Sequence, residues 1–115
     1  LWSWYGTGYD GVTFTETHFG GPPWETIETL VQRSPLAYVD RVDTPVLLLH
    51  GEADVDAPLE QSEQYFVALK RLGKEVEFVR LPGCGHTFLN GGPPRMRVEY
   101  LRRLLDWYDK HLGRG

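Results

Sequence analysis

Residues 46–54 read Val-Leu-Leu-Leu-His-Gly-Glu-Ala-Asp, and they carry the strongest signal of the fold class. The first four residues are apolar on both faces, which is typical of a central strand in a parallel sheet rather than of a strand with one solvent-exposed face. The strand is predicted over residues 46–50, and a glycine turn and an aspartate follow it. Asp54 is therefore expected just beyond the end of a buried strand, where open parallel sheets bind ligands.

A second strand is predicted over residues 76–81, and a helix over residues 59–72 connects the first strand to it. Gly73 is placed to end that helix, as glycine commonly does. The strand–helix–strand unit has the length expected of a parallel crossover, so the fold class is α/β. Residues 82–86 read Pro-Gly-Cys-Gly-His and follow the second strand, so His86 is expected at the same end of the sheet.

The segments that flank this unit carry weaker patterns. Residues 1–45 are rich in glycine and aromatic residues and are predicted to be loop-rich, with one short helix over residues 24–33. A final helix is predicted over residues 95–112, with an apolar stripe towards the sheet and arginines towards water. Two strands make a very small sheet with unpaired edges. We therefore expect an incomplete fold that needs a companion polypeptide from the same protein or assembles as an oligomer.

Composition excludes several classes of function. The 115 residues carry a formal net charge of −4, so the sequence shows no basic footprint for nucleic acid or for a membrane surface. No apolar run approaches the length that spans a bilayer. The single cysteine excludes an internal disulfide and a cysteine-rich metal site. We expect neither a metal nor another cofactor, and a cytoplasmic location.

Asp54 and His86 are the candidate catalytic residues. An acid followed by a histidine, on consecutive strand ends, forms the second half of a Ser-Asp-His triad. Neighbouring parallel strands lie about 4.8 Å apart, so the two loops can bring these side chains into hydrogen-bonding contact. The carboxylate would orient the ring and stabilise the imidazolium formed when the ring takes a proton from a nucleophile. No Gly-x-Ser-x-Gly elbow occurs in the 115 residues, so the nucleophile is expected outside them.

Neighbouring residues leave alternatives open. Glu52 and Asp56 are competing acids, and Asp56 could instead cap the helix that follows. His50 ends the first strand and is expected to pack under the loop. Cys84 lies beside His86, but a thiol two residues from its base on one turn would have trouble reaching an oxyanion hole as well. Cys84 is therefore interpreted as a small loop residue.

Several longer segments carry a resemblance to a known family. They are Phe19–Trp24, Ser34–Leu36, Thr44–Asp54, Pro58–Gln64, Leu69–Glu77, Gly85-His86 and Gly92-Pro93-Pro94. Together they resemble the C-terminal end of the catalytic domain of the prolyl oligopeptidase family, in its acylaminoacyl-peptidase-like branch. The resemblance implies that residues 1–115 are the C-terminal part of an α/β-hydrolase catalytic domain. It also implies that residues 46–115 hold the strand–helix–strand–helix portion.

The resemblance implies a serine-type peptidase in which Asp54 is the triad acid and His86 is the triad base. The nucleophilic serine would lie in the remainder of the peptidase, which in this family often carries a β-propeller, and the substrates would be peptides. Family members often have arginine where this sequence has Asp56. This chain alone is expected to be inactive. The alternatives are a carboxylesterase of the same fold and a non-catalytic interaction or assembly module.

Overall fold

The computed structural model describes residues 1–113. The elements are α1 (Trp2–Thr7), α2 (Gly11–Phe19), α3 (Ile27–Gln32), a 3-10 helix (Pro35–Arg41), β1 (Val46–Gly51), α4 (Glu60–Arg71), β2 (Val76–Leu81), α5 (Phe88–Gly91) and α6 (Pro94–Leu112). The two predicted strands and the helices predicted over residues 59–72 and 95–112 are present, with ends that differ by no more than one residue. None of the helices described is long and apolar enough to cross a bilayer.

The strands β1 and β2 form a parallel pair, and α4 lies between them in the chain. Their register ends with Gly51 opposite Leu81, so both strands finish at the same edge of the sheet. Two loops begin side by side at that edge. The acid loop (residues 52–59) follows β1, and the histidine loop (residues 82–87) follows β2. This topology places the chemistry-bearing loops next to each other.

A buried cluster lies beneath the histidine loop. Leu81, Cys84 and Phe88 are buried against one another, and Met96 and Tyr100 of α6 pack against them. The Phe88 and Tyr100 rings meet edge to face with centroids 5.5 Å apart. Cys84 therefore belongs to the apolar support of the loop, which agrees with its interpretation as a structural residue.

The N-terminal segment differs from the loop-rich arrangement that the sequence predicts, because it contains the helices α1 and α2. The two helices approach closely at Gly11, where an added Cβ would clash with the carbonyl oxygen of Trp4. The Trp4 and Phe14 rings also meet edge to face, with centroids 5.0 Å apart. Glycine at the contact replaces the usual apolar side chain, so the sequence lacks the helical period that would reveal these helices.

The helix predicted over residues 24–33 is shorter in the structure, where α3 covers Ile27–Gln32. A turn precedes it, in which the Glu25 N–H donates to the Pro22 carbonyl over 3.0 Å. Leu30 is buried, whereas the apolar neighbours on the same predicted face, Ile27 and Val31, are exposed. The helix is amphipathic as expected, but the described residues cover only part of its apolar face.

The molecule also leaves apolar surface uncovered elsewhere. Its radius of gyration is 16.0 Å, whereas a compact domain of this length has about 13 Å. An outer stripe of α6 is exposed along the length of the helix; it consists of Val98, Leu101, Leu105, Tyr108 and Leu112. Within residues 1–113 no strand pairs with the second edge of β1. These features identify the fold as a partial α/β domain.

Candidate active site

The acid loop and the histidine loop are joined through their backbones. The Glu52 N–H donates to the Leu81 carbonyl over 3.0 Å, and the Ala53 N–H donates to the Cys84 carbonyl over 2.9 Å. Gly51 lies against the same part of Cys84, because an added Cβ would clash with the Cys84 carbonyl oxygen. Only glycine permits this close approach. The two loops therefore form one connected unit at the end of the sheet.

Asp54 and His86 meet across this unit. Nδ1 of His86 lies 3.0 Å from Oδ2 of Asp54, which is hydrogen-bonding distance. The side chain of Asp54 is 7% exposed, whereas that of His86 is 52% exposed. Because Nδ1 faces the carboxylate, the geometry of imidazole places Nε2 on the far side of the ring. The pair thus combines a buried acid with a ring that another group can approach.

The Asp54 carboxylate is held by its own loop. Its Oδ1 accepts hydrogen bonds from the Asp56 N–H over 3.0 Å and from the Ala57 N–H over 2.9 Å. Burial alone would raise the pKa of Asp54, but the hydrogen bond from the Ala57 N–H and the hydrogen bond and charge of His86 hold that pKa below its usual value, with a smaller contribution from the nearby His50. Asp54 is therefore ionised at neutral pH, with Oδ1 fixed by the backbone and Oδ2 turned to His86.

The carboxylate in turn makes His86 a stronger base. The hydrogen bond that His86 donates to Asp54 and the charge of that carboxylate raise the pKa of His86 above the usual value, against a smaller opposing effect of desolvation. The charge of Asp56 adds to the increase. A ring whose pKa lies close to the working pH is suited to accept and return a proton within one reaction cycle.

His50 lies under the acid loop, as the sequence predicts, and its side chain is 12% exposed. Its Nδ1 lies 2.6 Å from the Ser62 hydroxyl, and its Nε2 lies 2.6 Å from the Ala57 carbonyl oxygen. Nε2 is also 3.4 Å from Oδ2 of Asp54. Two imidazoles therefore approach the same carboxylate oxygen, a contact that sequence reasoning missed although the two residues are only four positions apart.

The two competing acids, Glu52 and Asp56, have different surroundings in the structure. Glu52 pairs with Arg80, with 3.2 Å between Oε1 and Nε, so its carboxylate is engaged away from His86. Asp56 does not cap the next helix, because α4 begins at Glu60 and has no side-chain cap. Asp56 instead joins the site at its rim.

Asp56, Asp54 and His86 each place one donor atom within 4.8 Å of the others. Two carboxylates and an imidazole are donors of the kind that bind divalent cations. Oδ2 of Asp54 and Nδ1 of His86 already bond to each other here. Sequence reasoning did not find this three-residue arrangement, because it forms only when the two loops come together.

Helix α1 and the turn after it support the acid loop from outside. The indole N–H of Trp4 donates to the Asp56 carbonyl over 2.7 Å. The Tyr9 N–H donates to the Val55 carbonyl over 2.8 Å. The aromatic N-terminal segment therefore holds the backbone of the acid loop. Sequence reasoning predicted a loop-rich segment here and missed these contacts.

Comparisons with known proteins place the chain in a family. The sequence profile of the prolyl oligopeptidase family matches residues 2–115. The uncharacterized peptidase YuxL of Bacillus subtilis (strain 168) is 43% identical over 110 residues, which cover 96% of this chain and 17% of YuxL. The acylaminoacyl peptidase of Pyrococcus horikoshii superimposes with a TM-score of 0.92 at 30% identity, over 99% of this chain and 19% of that one. A puromycin-hydrolyzing peptidase of Mycobacterium tuberculosis gives a TM-score of 0.85 at 27% identity, over 100% of this chain and 17% of that one.

These comparisons confirm the predicted fold class, because the structure matches part of the α/β-hydrolase domain of an acylaminoacyl peptidase. The chain spans less than a fifth of the length of each of these three relatives, between 17% and 19%. The profile match extends over nearly the whole sequence. The chain belongs to the prolyl oligopeptidase family of serine peptidases.

Proposed function

We propose that this chain supplies the acid and the base of a Ser-Asp-His triad in a serine peptidase. Asp54 is the acid, His86 is the base, and the nucleophilic serine belongs to a part of the protein outside these 115 residues. One observation carries the proposal: the 3.0 Å contact between a buried carboxylate and a half-exposed imidazole at the end of a parallel sheet. Membership of the family supports it.

The mechanism follows from the orientation of the ring. Nε2 of His86 accepts the proton of the serine hydroxyl as the hydroxyl oxygen attacks the peptide carbonyl carbon. The same nitrogen then gives that proton to the departing amine, which leaves an acyl-enzyme. Water attacks the acyl-enzyme in a second round, with His86 again as base. Asp54 stays ionised throughout, keeps the proton of the neutral ring on Nδ1, and stabilises the imidazolium.

The proposed substrates are short peptides, including N-acylated ones. The name of the Pyrococcus horikoshii relative, an acylaminoacyl peptidase, supports this substrate class. A cavity of about 730 Å³ lies between β1 and α6, and residues such as Leu48, Leu104 and Trp107 form its wall. Neither Asp54 nor His86 lines this cavity. We therefore propose that the segment that carries the serine also completes the substrate pocket.

The remaining part of the peptidase is the proposed partner of the uncovered surfaces. The free edge of β1 offers unpaired backbone groups, which favour the addition of a further strand. The same surfaces favour self-association when the chain is produced alone. Light scattering of the isolated chain tests this point, since a stable, folded monomer would contradict it.

A fluorophosphonate probe tests the proposed function. We expect the probe to label one serine of the full-length protein outside residues 1–115, and the isolated chain to remain unlabelled at Ser3, Ser34 and Ser62. His86→Ala should abolish labelling, whereas Cys84→Ser should preserve it because the buried thiol has no part in the chemistry. Labelling that survives His86→Ala would contradict the proposal.

The same protein separates the alternatives. Faster turnover of acyl-peptide anilides than of short-chain esters is expected of a peptidase, and the reverse ratio would favour a carboxylesterase. A full-length protein without any labelled serine would favour a non-catalytic assembly module.

A further inference from the structure

We propose that His50 is a positioning residue, which ties the acid loop to α4 and fixes the direction in which the Asp54 carboxylate faces His86. Its catalytic consequence rests on the proposed function, whereas its contacts do not. His50 is the penultimate residue of β1, and it reaches three groups at once: the Ser62 hydroxyl, the Ala57 carbonyl and Oδ2 of Asp54.

The partners of His50 determine where its proton lies. A carbonyl oxygen only accepts hydrogen bonds, so the short contact with Ala57 requires a proton on Nε2. The ionised Oδ2 of Asp54 also only accepts, and it lies on the same side of the ring at 3.4 Å. Nδ1 can then accept a hydrogen bond from the Ser62 hydroxyl. His50 thus carries its proton on Nε2, whereas His86 turns Nδ1 to the same carboxylate.

These contacts form a closed set around the backbone of Ala57. The Ala57 N–H donates to Oδ1 of Asp54 over 2.9 Å, and its carbonyl accepts from His50 over 2.6 Å. His50 is itself held by Ser62, which belongs to α4. A shift of the acid loop must break at least one of these bonds, and each lies in a part-buried setting where an unpaired polar group is costly. The Asp54 carboxylate is therefore fixed relative to both β1 and α4.

Loss of His50 should act on His86 through Asp54. Within residues 1–113, the charged groups that face the His86 ring are Asp54 and Asp56, both from the acid loop. If Asp54 turns away, His86 loses the hydrogen bond and much of the charge that favour its protonated form. In a plot of kcat/KM against pH, activity falls on the acid side because His86 becomes protonated. This acid limb then moves to lower pH. A purely structural role would reduce the amount of folded protein but would leave that limb in place.

The test compares His50→Phe with His50→Gln in the full-length protein, with rates expressed per serine labelled by the fluorophosphonate. Phenylalanine keeps the bulk of the ring but has no polar atoms, so we expect kcat to fall about tenfold to a hundredfold with little change in KM. The acid limb of kcat/KM should also move to lower pH. Glutamine offers an amide N–H at about the position of Nε2, so it should restore most of kcat and the original limb. A His50→Phe protein with unchanged kcat and an unchanged limb would overturn the proposal.

Three further measurements keep the test decisive. His18→Gln, at an exposed histidine of α2, is the matched control and should change neither kcat nor the limb. If His50→Phe fails to fold, Ser62→Ala removes only the Nδ1 partner, and an unshifted limb there would also count against the proposal. Nitrogen-15 NMR of the histidines should show the proton of His50 on Nε2, and a proton on Nδ1 alone would overturn the inference.

The proposed function and this inference can fail separately. If no fluorophosphonate labels the wild-type protein, the proposed triad is wrong. The tautomer of His50 in the wild-type protein and the titration of His86 in His50→Phe can still be measured by NMR. In that case a lower pKa of His86 in the variant supports the positioning role, and an unchanged one refutes it.

Discussion

The end of the sheet and the outer stripe of α6 are built in opposite ways. At the end of the sheet, backbone amides of the acid loop donate to the last residue of β2 and to the histidine loop, and the acid is buried. Along α6, five large apolar side chains face outwards with nothing packed over them in the described structure. The comparison shows that the described residues are sufficient to hold Asp54 against His86. They are not sufficient to cover the apolar surface of α6.

The largest effect is expected from a substitution that disrupts the pair formed by Asp54 and His86. Asp54→Asn removes the charge that stabilises the imidazolium and presents an amide that can stabilise the wrong tautomer of His86. We expect kcat of the full-length protein to fall by about 10³- to 10⁴-fold, by analogy with other Ser-His-Asp enzymes. Asp43→Asn, at a side chain that is 97% exposed before β1, is the control. An Asp54→Asn protein with nearly normal kcat would show that Asp54 is not the triad acid.

A second pair of substitutions compares buried with uncovered apolar residues. Leu69 of α4 is 0% exposed, so Leu69→Ala should lower the free energy of unfolding by about 2–5 kcal/mol. Leu105 of the outer stripe is 63% exposed, so Leu105→Ala should change it by less than about 0.5 kcal/mol. Urea unfolding of this chain, at one fixed protein concentration for all variants because association shifts the apparent stability, measures both. Equal losses would contradict the distinction, and a larger loss for Leu105→Ala in the full-length protein would show that the stripe is covered there.

Gly51→Ala tests the close approach of the two loops. The new Cβ would clash with the Cys84 carbonyl and push the acid loop away from the histidine loop. We expect kcat/KM to fall about 100-fold, because small displacements of catalytic groups carry penalties of that order. Gly6→Ala is the matched control, since Gly6 lies in α1 with no atom near the added Cβ. Full activity in Gly51→Ala would mean that the loops tolerate separation.

The smallest expected effect concerns the rim of the site. The charge of Asp56 raises the pKa of His86, so Asp56→Asn should lower that pKa, and the acid limb of kcat/KM should move to lower pH. NMR titration of the His86 ring measures the shift directly. Glu52→Gln should leave the titration unchanged, because Glu52 is paired with Arg80. A higher pKa of His86 in Asp56→Asn would contradict the stabilising effect of the Asp56 charge on the protonated ring.

The features that sequence reasoning found are those with local signals. The apolar run of β1, the periodic helix α4 and the glycine turns before Asp54 and His86 each carry their information within a few residues. Parallel strands of equal length then bring the loops together, so the contact between Asp54 and His86 follows from topology. The long helix α6 likewise shows in its apolar period.

The features that sequence reasoning missed depend on tertiary contacts. Helices α1 and α2 meet through Gly11, which has no side chain to mark a helical face. His50 was expected to pack under the loop, but its hydrogen bonds to Ser62 and Ala57 become visible only when the loop folds back over it. Asp56 reaches the rim because the backbone of the acid loop turns around Oδ1 of Asp54. No periodicity reports such contacts.

The backbone bonds between the loops have a consequence for reassembly. The amide of Glu52 is bonded to the last residue of β2 and that of Ala53 to the histidine loop, so the hydrogen exchange of both amides should be slow and should become faster together when the unit opens. An acid–base pair that is ordered before its nucleophile arrives lends itself to split-enzyme complementation. Two separately produced polypeptides would then recover hydrolysis at a rate limited by their docking, with no slow rearrangement at the dyad afterwards.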